Sequence, residues 1–357
     1  MNSNLKPGSV AHADASRGLY RVAIVGAGSL KGKEVAEMIE QRSFPAIDVK
    51  LLDDDESLGQ LEALKDEITF IQSVRAEQFD NIDFAFFASD ADCTRRNWKS
   101  AQKAGGAIVD LSYALEEEPG ATLRAPWLQR QLGQISVPEL QPGPVVVAHP
   151  ASVVLALLLT RLHTAIPIHR AIASVFQPAS ERGQKGMDEL HEQSVNLLSF
   201  QPLPKTIFDV QVAFSMVSRY GEQSSPTLSA ITERVVKHYR KIVPQNMLVP
   251  SVSVVQAPTF HAHTISLNVQ LGSPADIAEI SRALAGDHVN VVPYSEEAPN
   301  NVNAAGQADI LVSVTPDASD PNTAWIWAAS DNLRVAAANA VECAEGMVAS
   351  RPRGQVQ

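Results

Sequence analysis

The feature that most constrains this chain is its opening: a short apolar strand, a glycine-rich turn, then a helix. Arg21-Val22-Ala23-Ile24-Val25-Gly26 is rich in β-branched and small apolar residues, and Gly26-Ala27-Gly28-Ser29-Leu30-Lys31-Gly32 interrupts it. Helix-forming residues follow over 33–40. A strand that feeds a helix through glycines opens a parallel sheet. Such a turn also lets backbone approach a pyrophosphate at the helix N-terminus, where unpaired N–H groups leave positive potential. The spacing here is G-x-G-x-x-x-G, not G-x-G-x-x-G, so a glycine turn that binds nothing is the competing reading.

The alternation continues. Residues 48–52 read as a second strand, and Asp53-Asp54-Asp55-Glu56 ends it. An acid at that place holds a ribose 2′-OH, whereas four carboxylates repel a 2′-phosphate. NAD is therefore the easier dinucleotide, with a solvated acidic loop as the alternative. Residues 83–88 and 107–112 read as strands on either side of a helix over 93–105. The class is α/β, with a Rossmann-like doubly wound N-terminal domain.

Near the middle, Val145-Val146-Val147-Ala148-His149-Pro150-Ala151-Ser152-Val153-Val154 reads as a strand, a turn at Pro150 and the start of a helix over 155–162. Ser152 then sits at a strand-to-helix junction, as a nucleophile, an anion contact or a simple helix cap. Beyond it the texture changes. Residues 171–177, 251–255, 264–271, 309–314 and 323–328 read as strands. Residues 189–198 and 228–242 read as helices, the second opened by Ser225-Pro226 and carrying a Glu233–Lys237 i,i+4 pair. This is an α+β second domain on a mixed, mostly antiparallel sheet, followed by an Ala-rich helix from Asn332 to about Met347. The expected boundaries are a disordered tail at 1–18, a dinucleotide-binding-like domain at 19–150, the second domain at 151–330, and 331–357 returning to the first.

Composition excludes several classes. A net charge of −11 over 357 residues argues against nucleic acid and anionic membrane surfaces as partners. No apolar run approaches membrane-spanning length, and residues 1–18 have no apolar signal core. Two cysteines, Cys93 and Cys343, build neither a disulfide framework nor a zinc site, which fits free thiols in the cytoplasm. No metal site is expected.

This order of parts resembles the aspartate-semialdehyde dehydrogenase family over residues 20–348. Residues 22–27 are similar to the family's opening strand and turn. Gln177, Ser180 and Gly183-Gln184-Lys185-Gly186-Met187-Asp188-Glu189-Leu190 are similar to its active-site glutamine, loop and helix. Asp331-Asn332-Leu333-Arg334, with Asn339-Ala340-Val341, is similar to its closing helix. The resemblance implies a dimer and a nicotinamide nucleotide held by Gly26, Gly28, Ser29, Leu30, Gly32 and Asn332. It also implies a cysteine thiolate that attacks an aldehyde, a histidine that moves the proton, and arginines that grip substrate carboxylate and phosphate.

Laid on this chain, the family's Asn-Pro-x-Cys falls on His149-Pro150-Ala151-Ser152, so Ser152 stands at the nucleophile position. The stretch from Gln256 to His263 aligns without a gap to Arg-Val-Pro-Val-x-x-Gly-His. It leaves His263 as acid/base and puts Gln256 where an arginine grips carboxylate. The phosphate-binding arginine falls on Glu116, the basic NADP contact on Glu56, and a substrate-contacting Glu/Lys pair near Ile231 and Arg234. A serine hydroxyl is not tuned to its anion as a thiol is, Gln256 loses the bidentate grip, and Glu116 replaces attraction by repulsion. The resulting expectation is a catalytically silent homologue similar to the Usg-like branch, acting through dimerisation or a protein partner. The alternative is an NAD(P)-dependent aldehyde oxidoreductase with altered substrate, resting on Gln177 and His263.

Overall fold

The structure, a computed structural model, describes residues 20–54, 61–64, 67–134 and 143–348. The tail 1–18, Asp55, Glu56 and residues 349–357 therefore lie outside the described residues.

The first sheet takes its strands in the order β5-β2-β1-β6-β7-β9-β8, all parallel. These are β1 (Tyr20–Val25), β2 (Ala46–Asp53), β5 (Gln72–Ser73), β6 (Phe84–Phe87), β7 (Ala107–Asp110), β8 (Thr122–Arg124) and β9 (Val145–Val147). A separate antiparallel ladder joins β3 (Leu61–Leu64) to β4 (Glu67–Phe70). Side-chain alternation explains why the central strands read as continuous apolar runs. Val22, Ile24, Phe84, Phe86 and Val109 enter one core, and Ala23, Val25, Ala85, Phe87 and Ile108 enter a second on the other face. A parallel sheet covered on both faces requires this. Helices α1 (Leu30–Gln41), α2 (Ala91–Lys103) and α3 (Pro126–Gln131) belong to this half.

Helix α4 (Pro150–Ala165) joins the two halves. Its residues from Pro150 to Thr160 are all buried, and an apolar helix of that kind must be enclosed on every side. The second sheet has the order β11-β10-β12-β15-β14-β13. Its strands are β10 (Ile168–Gln177), β11 (Ser251–Gln256), β12 (His263–Leu271), β13 (Val289–Val291), β14 (Ile310–Pro316) and β15 (Thr323–Ser330). The outer pairs β10–β11 and β13–β14 are parallel and the three inner pairings antiparallel, so the sheet is mixed as expected. Helices α5 (Gly183–Leu198), α6 (Leu228–Ile242), α7 (Ile277–Leu284) and α8 (Asn301–Ala304) accompany it.

The last helix, α9 (Asn332–Val348), leaves β15 and lies against α1. Arg334 fixes it there, through Glu34 at 3.1 Å, Glu37 at 2.8 Å and Gln41 at 2.7 Å.

Three local readings need correction. The strand from Val145 stops at Val147, and Pro150, expected as a turn, already begins the helix, because His149 caps it: its Nδ1 accepts from the Ala151 N–H at 3.3 Å. Ser152 is thus inside the first helical turn and is not the cap. Helix α6 is capped by Thr227 and not by Ser225-Pro226. Lys237 turns away from Glu233, toward Glu116 and Glu117 across the cleft.

Candidate functional site

The carboxyl ends of β1, β7 and β9 meet the ends of β10 and β11 and the starts of β12 and α9. Open α/β sheets place ligands at such a crevice. The described polar residues there are mostly buried and form three connected groups.

The first surrounds the start of α4. Ser152 is completely buried, and its hydroxyl donates to the Val235 carbonyl of α6 at 2.8 Å. The His149 N–H donates to His238 Nδ1 at 3.0 Å, which leaves the His238 proton on Nε2, 2.9 Å from Glu116 Oε2. Burial pushes the His149 pKa down to about 3, and burial lowers His238 as well. Both imidazoles are neutral at neutral pH.

The second is the loop after β7. Burial alone would raise the Glu116 pKa, but the His238 hydrogen bond and the Arg234 guanidinium bring it down to about 2. Arg234 Nη2 stands 3.3 Å from Glu116 Oε1 and Lys237 Nζ 3.5 Å from Oε2. The carboxylate is therefore neutralised where it stands, which corrects the expectation that it simply repels anions. Arg234 and Glu116, read separately as substrate positions, are each other's partner. Tyr113, three residues earlier, adopts φ +65°. Its ring stacks on His149 with centroids 5.7 Å apart, and Lys31 Nζ and the Arg234 guanidinium lie over it at 4.9 and 5.1 Å.

The third lies at the end of the second sheet. Gln256 is fully buried and its amide is saturated: Oε1 accepts from the Tyr220 hydroxyl at 2.6 Å, and Nε2 donates to the carbonyls of Gln177 and Ala257 at 3.0 and 2.8 Å. Gln177 donates to Tyr220 Oη at 3.2 Å, while its own Oε1 has no hydrogen bond among the described residues. His263 is also fully buried, and neither ring nitrogen has a hydrogen bond among the described residues; Glu181 Oε1 lies 3.5 Å from Nε2. Burial lowers the His263 pKa; burial would raise that of Glu181, but His263, His149 and Lys31, with an Asn332 Nδ2–H at 3.0 Å, bring it down to about 2. Asn332 is held in turn by the Ser180 hydroxyl at 3.1 Å. Ser152 and His263 do not form a nucleophile–base pair.

In the glycine turn, Gly26 has φ +84°, and a Cβ there would stand 2.4 Å from Ser89 N. A Cβ on Gly32 would stand 2.1 Å from the Gly26 carbonyl. Both glycines are thus demanded by the chain's own packing. Ser29 caps α1, accepting from the Gly32 N–H and donating to Ala88 O, each at 2.9 Å. The Gly28 N–H goes to Asp53 Oδ2 at 2.7 Å. Leu30 and Lys31, as the first residues of the helix, keep N–H groups with no intrahelical acceptor.

Residues 21–142 match the model of the semialdehyde dehydrogenase NAD binding domain, and residues 159–335 that of the semialdehyde dehydrogenase dimerisation domain. A USG-1 protein homolog of Pseudomonas aeruginosa is 30% identical over 339 residues, covering 92% of this chain and 97% of that one. The chain belongs to the aspartate-semialdehyde dehydrogenase family. An aspartate-semialdehyde dehydrogenase of Prochlorococcus marinus is 28% identical over 338 residues, covering 91% of this chain and 94% of that protein. Among solved structures, a probable aspartate-semialdehyde dehydrogenase from Pseudomonas aeruginosa superposes with a TM-score of 0.80 at 27% identity, covering 92% and 98% of the two chains.

Within this family frame, the residues singled out from sequence fall in one crevice, but through partners the sequence did not reveal. Tyr220, Glu181, His238, Lys31 and Tyr113 were all missed. His238 and Lys237 carried a readable signal, since with Arg234 they form a basic face on one helix at i, i+3 and i+4. Tyr220 and Tyr113 carried none. Among the described residues no group of three His, Cys, Asp or Glu is placed to hold a metal ion, and no helix is long and apolar enough to cross a membrane.

Proposed function

We propose that this chain is a catalytically silent member of the aspartate-semialdehyde dehydrogenase family, on the branch of the USG-1 homologues, and that it acts as a homodimer through binding and not through turnover. One observation carries the reading: the Ser152 hydroxyl, at the nucleophile position, is completely buried and donates to the Val235 carbonyl at 2.8 Å. A nucleophilic serine needs a base to take that proton, and a main-chain carbonyl is not one. The saturated amide of Gln256 supports the reading, because it leaves no donor for a substrate carboxylate. The match of residues 159–335 to the dimerisation domain supports the homodimer.

The glycine turn nevertheless fits a dinucleotide, which would bring a hydride acceptor into the crevice. The N–H groups of Leu30 and Lys31 suit a pyrophosphate, with Gly26, Gly28, Ser29 and Gly32 shaping the turn, while Asn332, the further cofactor position the resemblance implies, has its amide engaged by Ser180 and Glu181. Asp53 suits a ribose 2′-OH and opposes a 2′-phosphate, which favours NAD over NADP. A second reading, an oxidoreductase on an aldehyde of altered kind, is favoured by His263, whose ring nitrogens have no hydrogen bond among the described residues although Glu181 lies 3.5 Å from Nε2.

Calorimetry with NAD and NADP, beside an assay of phosphate-dependent aspartate-semialdehyde oxidation by the wild type and by Ser152→Cys/Gln256→Arg, separates the two. No turnover by the wild type is expected with either nucleotide. Wild-type turnover that Ser152→Ala abolishes would overturn the silent reading.

A further inference from the structure

A cavity of about 270 Å³ opens between the β8 edge of the first sheet, α3 and the last turns of α9. Arg124 of β8, Arg130 of α3, and Glu342, Cys343, Glu345 and Gly346 of α9 are in its wall. Glu342 follows Asn332 by ten residues on one helix, which places the cavity about 15 Å along α9 from the crevice.

The charges of this wall balance, and they are divided by element: guanidiniums from β8 and α3, carboxylates from α9. The wall is also held in place. Arg130 Nη2 donates to Glu342 Oε2, while Trp127 Nε1 and Arg42 Nη1 reach Glu342 Oε1 at 3.1 and 3.0 Å. Arg42 grips both oxygens of Glu345, at 3.0 and 2.7 Å. The His288 ring, from the second half, lies flat on Trp127 with centroids 4.0 Å and planes 5° apart, and its Nε2 is 3.4 Å from Arg130. A cavity braced in this way is preformed, as small-molecule sites usually are. Burial pushes the Cys343 thiol up to about 12 against the pull of Arg124, so this wall residue is a neutral apolar surface and not a nucleophile.

Gly346 is a separate observation. It lies within α9, where glycine is less favourable than alanine, and a Cβ on it would meet nothing within 4 Å. The chain's own packing therefore gives no reason for glycine at this point of the cavity wall. A larger side chain would enter the space that the cavity leaves.

We propose that this cavity is a ligand site for a small zwitterion of the amino-acid type. The ligand carboxylate meets Arg124 and Arg130, its ammonium meets Glu345, and its carbon chain lies over Cys343 and Gly346. An ion of one sign would leave half of the wall unmatched, whereas a zwitterion matches both halves. The site is independent of whether Ser152 is silent, because binding is read without turnover and away from the crevice.

L-norvaline, pentanoate and butylamine have similar carbon chains and carry both charges, the negative one alone and the positive one alone. Each is titrated by calorimetry into the full chain as wild type and as Gly346→Leu, Arg124→Gln and Glu345→Gln. Norvaline should bind the wild type at least tenfold more tightly than either analogue. Gly346→Leu should keep or raise the thermal midpoint and weaken norvaline at least tenfold. Arg124→Gln should bring norvaline down toward the affinity of butylamine, and Glu345→Gln toward that of pentanoate. Equal affinity of the wild type for all three probes, or no heat with any of them, would overturn the proposal, as would norvaline binding that survives Gly346→Leu. If Gly346→Leu does not fold, the two charge variants decide, and norvaline affinity unchanged in both overturns the site.

Discussion

His149→Asn should flatten the acid side of the stability profile by a calculable amount. The His149 ring is buried, and burial brings its pKa to about 3, against 6.5 in an unfolded chain. The sign follows from linkage. The folded state resists the proton and the unfolded state takes it, so stability is fully present above about pH 6.5. It falls as pH drops toward the folded value and levels off below that. A histidine that stays neutral when buried and takes a proton near 6.5 when unfolded contributes a loss on the order of 1 kcal/mol at about pH 5.5, and more at lower pH. Asparagine can replace the cap on α4 but cannot titrate, so the variant should lose this contribution and nothing else that depends on pH. His149 is neutral in the folded wild type across this window, so its removal does not change the field on His238 or His263. The assay is urea unfolding of both proteins at about pH 8 and about pH 5.5, at one protein concentration because assembly shifts apparent stability. The drop between the two pH values should be smaller in the variant by on the order of 1 kcal/mol. Parallel drops would refute the claim that a neutral buried His149 is part of what acid destroys.

Arg334→Ala should cost about 3 kcal/mol in thermal or urea unfolding, because it removes contacts to Glu34, Glu37 and Gln41 at a site 9% exposed; a loss within about 0.5 kcal/mol would mean that α9 is held by apolar packing alone. Gly32→Ala should lose at least about 2 kcal/mol, since its Cβ would sit 2.1 Å from a carbonyl that cannot move without reshaping the turn. Gly346→Ala, exposed in α9 with nothing within 4 Å of the new Cβ, should gain up to about 1 kcal/mol by the same measurement.

The layout was legible because its signals are local. Glycine turns, period-2 strands and the amphipathic face of α6 each act within a few residues, and α6 lies at Leu228–Ile242, the limits its pattern predicts. What sequence misplaced depended on partners far away. The start of α4 lies at least three residues earlier than the sequence suggests because His149, a poor cap by type, accepts the Ala151 N–H while its ring stacks against Tyr113. Lys237 left the local partner that helical spacing offered it because Glu116 and Glu117, about 120 residues away in sequence, lie within reach. The exposed i,i+4 pair would have contributed only about 0.3–0.5 kcal/mol, so little opposed the change.

Position by position against the family pattern, Ser152, Glu116 and His149 each read as the loss of a working part. In the fold they are members of one network. Glu116 holds the proton of His238, His238 accepts the N–H of His149, and Ser152 donates to the carbonyl of the α6 residue three positions before His238. Removing a member leaves a buried donor or acceptor without its partner, which costs about 1–3 kcal/mol. On the proposed silent reading, these residues form a self-consistent internal structure in place of the family's working parts. That sets the order in which activity could be rebuilt. Ser152→Cys puts a thiol at the nucleophile position, and Gln256→Arg puts a cation beside Tyr220, yet Glu116 still pairs with the basic face of α6. Turnover should therefore stay low in the double variant and rise only when Glu116 is also replaced by a neutral or basic residue. If the double variant alone were as active as the triple, the coupling between the loop and the crevice would not exist.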